Sequence, residues 1–187
     1  MSEKYFISSD ELLYDSFKLG LEIIKSGFKP SFMVAIWRGG TPVGIAVQEI
    51  LQTSGITTDH ISVRTSSYRR IGEREKHVRV HGLDYIIKNI NAEDSLLIVD
   101  DVFDTGLSIQ ALLCKLQRKC RRNTPNDIRI ATPWFKPSNN QTSLTPDYYL
   151  HKSDQWLVFP HELDGLSHQE LLDNKPKLKA LFDEYQI

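Results

Sequence analysis

Cysteine is scarce in this chain: only Cys114 and Cys120 occur among its 187 residues, six apart in a helix-like stretch. That is neither a metal-ligand spacing nor a disulfide framework, and it suits a reducing compartment. Long hydrophobic runs are missing as well, since none approaches the roughly 20 residues that span a bilayer. The start, MSEKYFISSDELL, is polar and acidic and lacks the apolar centre of a secretory signal. A cytoplasmic protein without a membrane partner is therefore expected. Nor does charge of one sign dominate: 23 Lys and Arg stand against 24 Asp and Glu, and a net charge of −1 gives no reason to expect nucleic-acid binding. There is no internal repeat and no low-complexity tract. With 40% hydrophobic residues, the chain can bury a core as a single domain, 1–187.

What is present alternates between two periods. Residues 9–26 carry helical spacing, with Ser8 or Ser9 able to cap, Leu13, Phe17, Leu21 and Ile24 on one face, and Gly27 and Pro30 at the end. FMVAIW (32–37) is a continuous apolar run, the pattern of a strand buried on both faces. It stops at Arg38-Gly39-Gly40, and Thr41-Pro42 then opens a helix over 41–52. Residues 56–65 read as a strand, and the polar, aperiodic 66–82 as a long flexible loop with room for a short hairpin. LLIV (96–99) is the next buried strand, followed by helical spacing over 105–119 and a third core strand, IRIAT (128–132). PSNNQTSLTPD (137–147) has the composition of an exposed loop. DYYL and WLVF read as late strands, with charged helical segments over 167–185. Strands alternating with helices predict an α/β fold with a mainly parallel central sheet, which binds ligands at the carboxyl ends of its strands. Arg38-Gly39-Gly40 and Asp100-Asp101 both fall at such ends.

The stretch LLIVDDVFDTGLS (96–108) carries the chemistry. Residues 104–108 turn into a helix, where free backbone N–H groups and the helix dipole favour a phosphate. Gly106 permits close approach, and Thr105 and Ser108 add hydroxyl donors. Asp100 and Asp101 suit a pair of sugar hydroxyls or the water shell of Mg²⁺. Acidic residues placed for a helix dipole would account for Asp104, but not for a carboxylate pair leaving a buried strand. Together the features describe a ribose 5-phosphate site.

This stretch resembles the phosphoribosyl pyrophosphate (PRPP) motif of type I phosphoribosyltransferases. The resemblance implies that Asp100 and Asp101 hold the ribose hydroxyls and that the loop Asp104, Thr105, Gly106, Leu107, Ser108 holds the 5-phosphate. AIWRGG (35–40) is similar to the family's pyrophosphate loop, in which an Arg meets the leaving group and an often cis peptide aims the backbone; Arg38 and Gly39 take those places. TPWFKPSNN resembles the 6-oxopurine branch, where Lys136 would donate to purine O6. DQWLVFPHE (154–162) resembles the final base-binding stretch of the xanthine-guanine enzymes, with Trp156 stacking on the purine and Leu157 meeting its edge through the backbone. Glu162 matches a carboxylate associated with Mg²⁺-pyrophosphate, while His161 stands where relatives often carry an aromatic. An acidic residue before Thr-Gly is typical of 6-oxopurine enzymes, so Asp104 would work at N7 of the base. Ser66, Ser67 and Tyr68 resemble the start of the loop that closes over PRPP.

The fold implied is the type I phosphoribosyltransferase fold, with a core over about 30–135 and a small base-binding hood over about 136–165. The activity implied moves the 5-phosphoribosyl group from PRPP to N9 of hypoxanthine, guanine or xanthine, with Mg²⁺ as cofactor, giving a purine nucleoside monophosphate and pyrophosphate. Relatives are commonly dimers or tetramers, so a homo-oligomer is expected. The alternative is a regulatory protein of the same fold that binds PRPP or a nucleotide and transfers nothing.

Overall fold

The structure, a computed structural model, describes residues 4–68 and 77–185, with the side chains of 67, 68 and 77 left aside. The chain divides into two compact units, Asp10–Asp154, and Met1–Ser9 together with Gln155–Ile187.

The larger unit is built on a seven-stranded sheet. Its strands are β2 (Phe32–Trp37), β3 (Asp59–Tyr68), β4 (His77–His81), β5 (Ser95–Val99), β6 (Val102–Phe103), β7 (Asp127–Phe135) and β8 (Tyr148–Lys152). The order is β4-β3-β2-β5-β7, with β6 and β8 both pairing β7. Every pairing is parallel except β3 with β4. The helices are α1 (Ser9–Lys25), α2 (Gly40–Thr53), α3 (Asp84–Asn89) and α4 (Leu107–Cys120).

Central strands of a parallel sheet must be apolar on both faces, and alternation divides these cleanly. Val34, Ile36, Leu96, Ile98 and Ile130 join one core cluster with Leu83 and Ile86 of the α3 region and Ile109, Leu112 and Leu116 of α4. Ala35 faces the opposite way onto α2, where a Cβ on Gly44 would lie 2.7 Å from its own. α1 lies against α2 in turn, with Gly20 beside Ile50 and Val47.

The expected α/β class with a mainly parallel sheet flanked by helices is the one found. Two details differ from the sequence reading, and a third, the hairpin, falls within it. In α1 the buried residues are Leu12, Asp15, Ser16, Leu19, Gly20 and Ile23, while Leu13 and Leu21 are exposed. The buried face includes polar residues: Ser16 Oγ donates to the Leu12 carbonyl at 2.6 Å, and Asp15 Oδ2 lies 2.7 Å from His151 Nε2. The segment 66–82 contains the end of β3 and all of β4, an antiparallel hairpin; residues 69–76 lie outside the described residues. The strand read over 128–132 extends to Phe135.

The smaller unit pairs β1 (Lys4–Phe6) with β9 (Trp156–Val158) in parallel and adds α5 (His168–Asn174) and α6 (Pro176–Tyr185). Ser167 and Glu170 close a reciprocal capping box at the start of α5. Lys4 Nζ reaches Glu170 Oε1 at 2.7 Å, and Lys175 Nζ donates to the carbonyls of Phe159 and Pro160 at 3.0 and 2.9 Å. No helix among the described residues is long and apolar enough to cross a membrane.

Candidate functional site

The chain runs outward from β2 to β3 and β4, then returns to lay β5 on the other side of β2. That reversal opens a crevice at the carboxyl ends of β2 and β5, where sheets of this kind bind ligands. Arg38-Gly39-Gly40 leaves β2 there and Asp100-Asp101 leaves β5.

Asp100 N–H still donates to the Ala131 carbonyl at 3.2 Å, and beyond it the ladder has a gap. Val99 lies opposite Ala131 and Val102 opposite Trp134, so the register is unchanged across residues 100 and 101. Opposite the gap stand Thr132 and Pro133, and Pro133 has no N–H to contribute. The carboxylates take up the backbone donors instead: Asp101 N–H donates to Asp100 Oδ1 at 3.0 Å, and Val102 N–H to Asp101 Oδ1 at 2.9 Å. Desolvation first, and then the Asp101 charge, push the Asp100 carboxyl well above the ordinary range; the backbone N–H groups of Asp101 and Gly40 oppose this and do not win.

The two glycines after Arg38 admit this packing. A Cβ on Gly39 would overlap the Asp101 carboxylate, and one on Gly40 would come within 2.7 Å of the Val99 carbonyl and 2.9 Å of Asp100 Oδ1. The structure thus brings together two motifs far apart in sequence. Arg38 is exposed beside them, and the Trp37–Arg38 peptide is cis.

Beyond β6 the chain turns through Asp104–Gly106 into α4. Gly106 has φ +75°, and a Cβ there would meet Thr142 Oγ1 at 2.6 Å and the Phe103 ring at 2.9 Å, so only glycine fits. No side chain caps α4, although Leu107 N–H lies 3.4 Å from Thr105 Oγ1. Asp100, Asp104, Thr105, Gly106 and Ser108 help line a cavity of about 70 Å³ here, room for a small anion with water.

Lys136, at the end of β7, is buried, and its Nζ lies 3.8 Å from Asp104 Oδ2. Asn139 Nδ2 donates to the other oxygen, Oδ1, at 2.9 Å. Sequence reading passed over Asn139 because PSNNQTS has loop composition. Its one signal is the three-residue spacing from Lys136.

Ser66 Oγ is 3.2 Å from His81 Nε2 across the β3–β4 hairpin; Ser67 and Tyr68 pair through their backbones with Val78 and His77. Trp156, Leu157 and Glu162 belong to the smaller unit. Trp156 is 53% exposed, with Lys4 Nζ 5.5 Å from its ring centre, whereas Leu157 is buried. Glu162 Oε2 accepts the N–H of Phe159 at 3.1 Å. His161 stacks on Phe159 with ring centres 5.8 Å apart.

The donor set at Asp100-Asp101 fits Mg²⁺. It offers two adjacent, poorly solvated carboxylates. Mg²⁺ is commonly held in this way, by one or two carboxylates together with substrate phosphates.

No protein-family model and no curated protein matches the chain. Solved structures do. A purine phosphoribosyltransferase from Pyrococcus horikoshii has 23% identity and a TM-score of 0.66 over 88% of this chain and 97% of its own. A xanthine-guanine-hypoxanthine phosphoribosyltransferase from Helicobacter pylori has 20% identity and a TM-score of 0.64 over 94% and 99%. A hypothetical protein from Neisseria gonorrhoeae with bound ppGpp has 19% identity and a TM-score of 0.74 over 96% and 98%. The chain has the fold of the type I phosphoribosyltransferases.

Proposed function

We propose that this protein is a purine salvage phosphoribosyltransferase, transferring the 5-phosphoribosyl group of PRPP to N9 of a 6-oxopurine and releasing pyrophosphate. The observation that carries this reading is the pairing of buried Lys136 with Asp104 at the start of the anion-sized loop. An amine and a carboxylate so placed match O6 and N7–H of a 6-oxopurine, and match adenine poorly.

In this reading Asp100 and Asp101 accept the ribose hydroxyls and hold the sugar in line, while Thr105 to Ser108 seat the 5-phosphate. Bound with PRPP at the acidic pair, Mg²⁺ would spread the charge of the pyrophosphate and make it a better leaving group. The C1′–O bond breaks with its electron pair passing to pyrophosphate, where Arg38 and the amides around Gly39 stabilise the charge. N9 supplies the pair that forms the new bond to C1′, and Asp104 takes the proton from N7. Lys136 polarises O6 and eases that deprotonation. By the family resemblance Trp156 would stack on the base, Leu157 would meet its edge, and Glu162 would hold the metal directly or through water. By the same resemblance Ser66, Ser67 and Tyr68 would help to screen the oxocarbenium-like centre from water. The working form is a cytoplasmic homo-oligomer.

The test is a Mg²⁺-dependent spectrophotometric assay with PRPP and, separately, hypoxanthine, guanine, xanthine and adenine. Turnover of one or more 6-oxopurines with adenine inert supports the reading. A second reading draws on the neighbour with bound ppGpp: a regulator of this fold that binds PRPP or a guanine nucleotide. Tight PRPP or ppGpp binding without turnover of any base would favour it.

A further inference from the structure

Lys136 and Asn139 share a single turn. The 3-10 turn Pro137–Asn139 follows Lys136 directly, and Asn139 N–H donates to the Lys136 carbonyl at 3.2 Å. Residues three apart on such a turn point the same way, and here both reach Asp104, one to each oxygen. Asn139 Nδ2 donates to Oδ1 at 2.9 Å, and Lys136 Nζ lies 3.8 Å from Oδ2.

The rest of the segment is fastened to the same loop. Gln141 N–H donates to the Thr105 carbonyl at 3.0 Å. Thr142 packs on Gly106, and its N–H and Oγ1 both donate to Asn140 Oδ1 at 2.9 Å. Asn140 Nδ2 closes the turn onto the Leu144 carbonyl at 2.7 Å. A segment with loop composition is thus a fixed clasp over Asp104–Gly106.

We infer that Asn139 is a positioning residue for the reaction, acting through Asp104. Its amide occupies Oδ1 and fixes the rotation of the carboxylate, so that Oδ2 alone is left to receive the purine proton beside Lys136. Without it the carboxylate rotates about its Cβ–Cγ bond, and over most of that range neither oxygen is aimed at N7. Such a residue affects the proton-transfer step and leaves PRPP binding alone. This inference rests on the proposed 6-oxopurine reaction.

The experiment is a kinetic double-mutant cycle on the full chain, comparing wild type, Asn139→Ala, Asp104→Asn and the double variant. Asn139→Ala is expected to lower kcat by about tenfold, the scale of one mis-set hydrogen bond, with KM for PRPP changed by less than about twofold. In the Asp104→Asn background the same change should have almost no further effect on kcat. Wild-type kcat retained in Asn139→Ala, or an equal loss in both backgrounds, overturns the inference. Asn139→Asp keeps the shape of the side chain and serves if the alanine variant does not fold. It sets two carboxylates together, so turnover should fall at pH 8 and recover towards pH 5, where a shared proton rebuilds the bond. A pH profile parallel to wild type counts against the inference. If wild type itself turns over no 6-oxopurine, the proposed function fails; if wild type is active and these variants match it, only the inference fails.

Discussion

Asp104 is gripped from both sides, and that arrangement makes its two possible roles separable. As a general base it should matter to turnover and little to PRPP, whose phosphate would meet backbone N–H groups and hydroxyls. Asp104→Asn keeps the shape and can still meet Asn139, but it cannot take a proton. Its kcat should fall on the order of a hundredfold or more, with KM for PRPP moved by less than about threefold, in steady-state assays with saturating base. Gly39 makes a different demand. Its backbone angles suit any residue, but the Asp101 carboxylate fills the space a Cβ would need. Gly39→Ala should therefore displace the acidic pair and weaken PRPP binding by tenfold or more in calorimetric titration. The placing of both motifs at strand ends was legible in the sequence, because a carboxylate pair at the exit of a buried strand has few structural uses. Asn139 was not, because its meaning depends on a turn bringing it beside Asp104, and composition marks only a loop.

Elements were legible in proportion to their apolar pattern. β2, β5 and β7 are bounded nearly where their hydrophobic runs lie, since strands buried on both faces leave no alternative. The start of β3 reads as a strand, but its end and β4 carry RTSSY and HVRVH, polar enough that the sequence leaves room for a hairpin without marking its strands; such strands are held by backbone pairing that residue types do not announce. β1 has three residues and a parallel partner at the far end of the chain, which no local signal can reveal. α1 misleads more instructively, because its buried face includes an aspartate. Asp15 is satisfied by His151 on β8, which also packs at a tilt against Trp134 with ring centres 4.4 Å apart. Removing the carboxylate strands the imidazole and leaves a void, so Asp15→Ala should cost about 1–3 kcal/mol in urea unfolding. In the smaller unit, Lys4 and then the Ser167 capping contacts lower Glu170 to about 2. A carboxyl lowered in the folded state contributes stability above its unfolded value near 4.5, and this is lost as pH falls through the folded value near 2. The stability gap between wild type and Glu170→Gln should therefore be full at pH 6 and close between about pH 4.5 and 2, as read by denaturant unfolding along that pH series.

Across the whole molecule, the site and the stability of the fold oppose one another at Asp100. Its carboxyl is raised by desolvation and by Asp101, so in the metal-free protein its ionised form is held at a cost. The sign follows from linkage. A carboxyl raised in the folded state destabilises once pH exceeds its unfolded value near 3.8, and the penalty grows until pH passes the folded value. Asp100→Asn removes the charge, and its amide oxygen can still accept the N–H of Asp101. In metal-free buffer at neutral pH the variant should melt higher than wild type, by about 2–4 °C for each kcal/mol relieved, and the difference should shrink as pH falls towards 4. Ligand should reverse the order. PRPP with Mg²⁺ at a hundred times its dissociation constant stabilises the form it binds by about 2.7 kcal/mol, and only wild type keeps both carboxylates to receive it. Differential scanning fluorimetry with and without PRPP and Mg²⁺ reads both effects in one series. A variant that melts lower than wild type without ligand would mean that the acidic pair supports the fold. If it melts higher but still responds fully to PRPP and Mg²⁺, the ligand is held by other groups than Asp100.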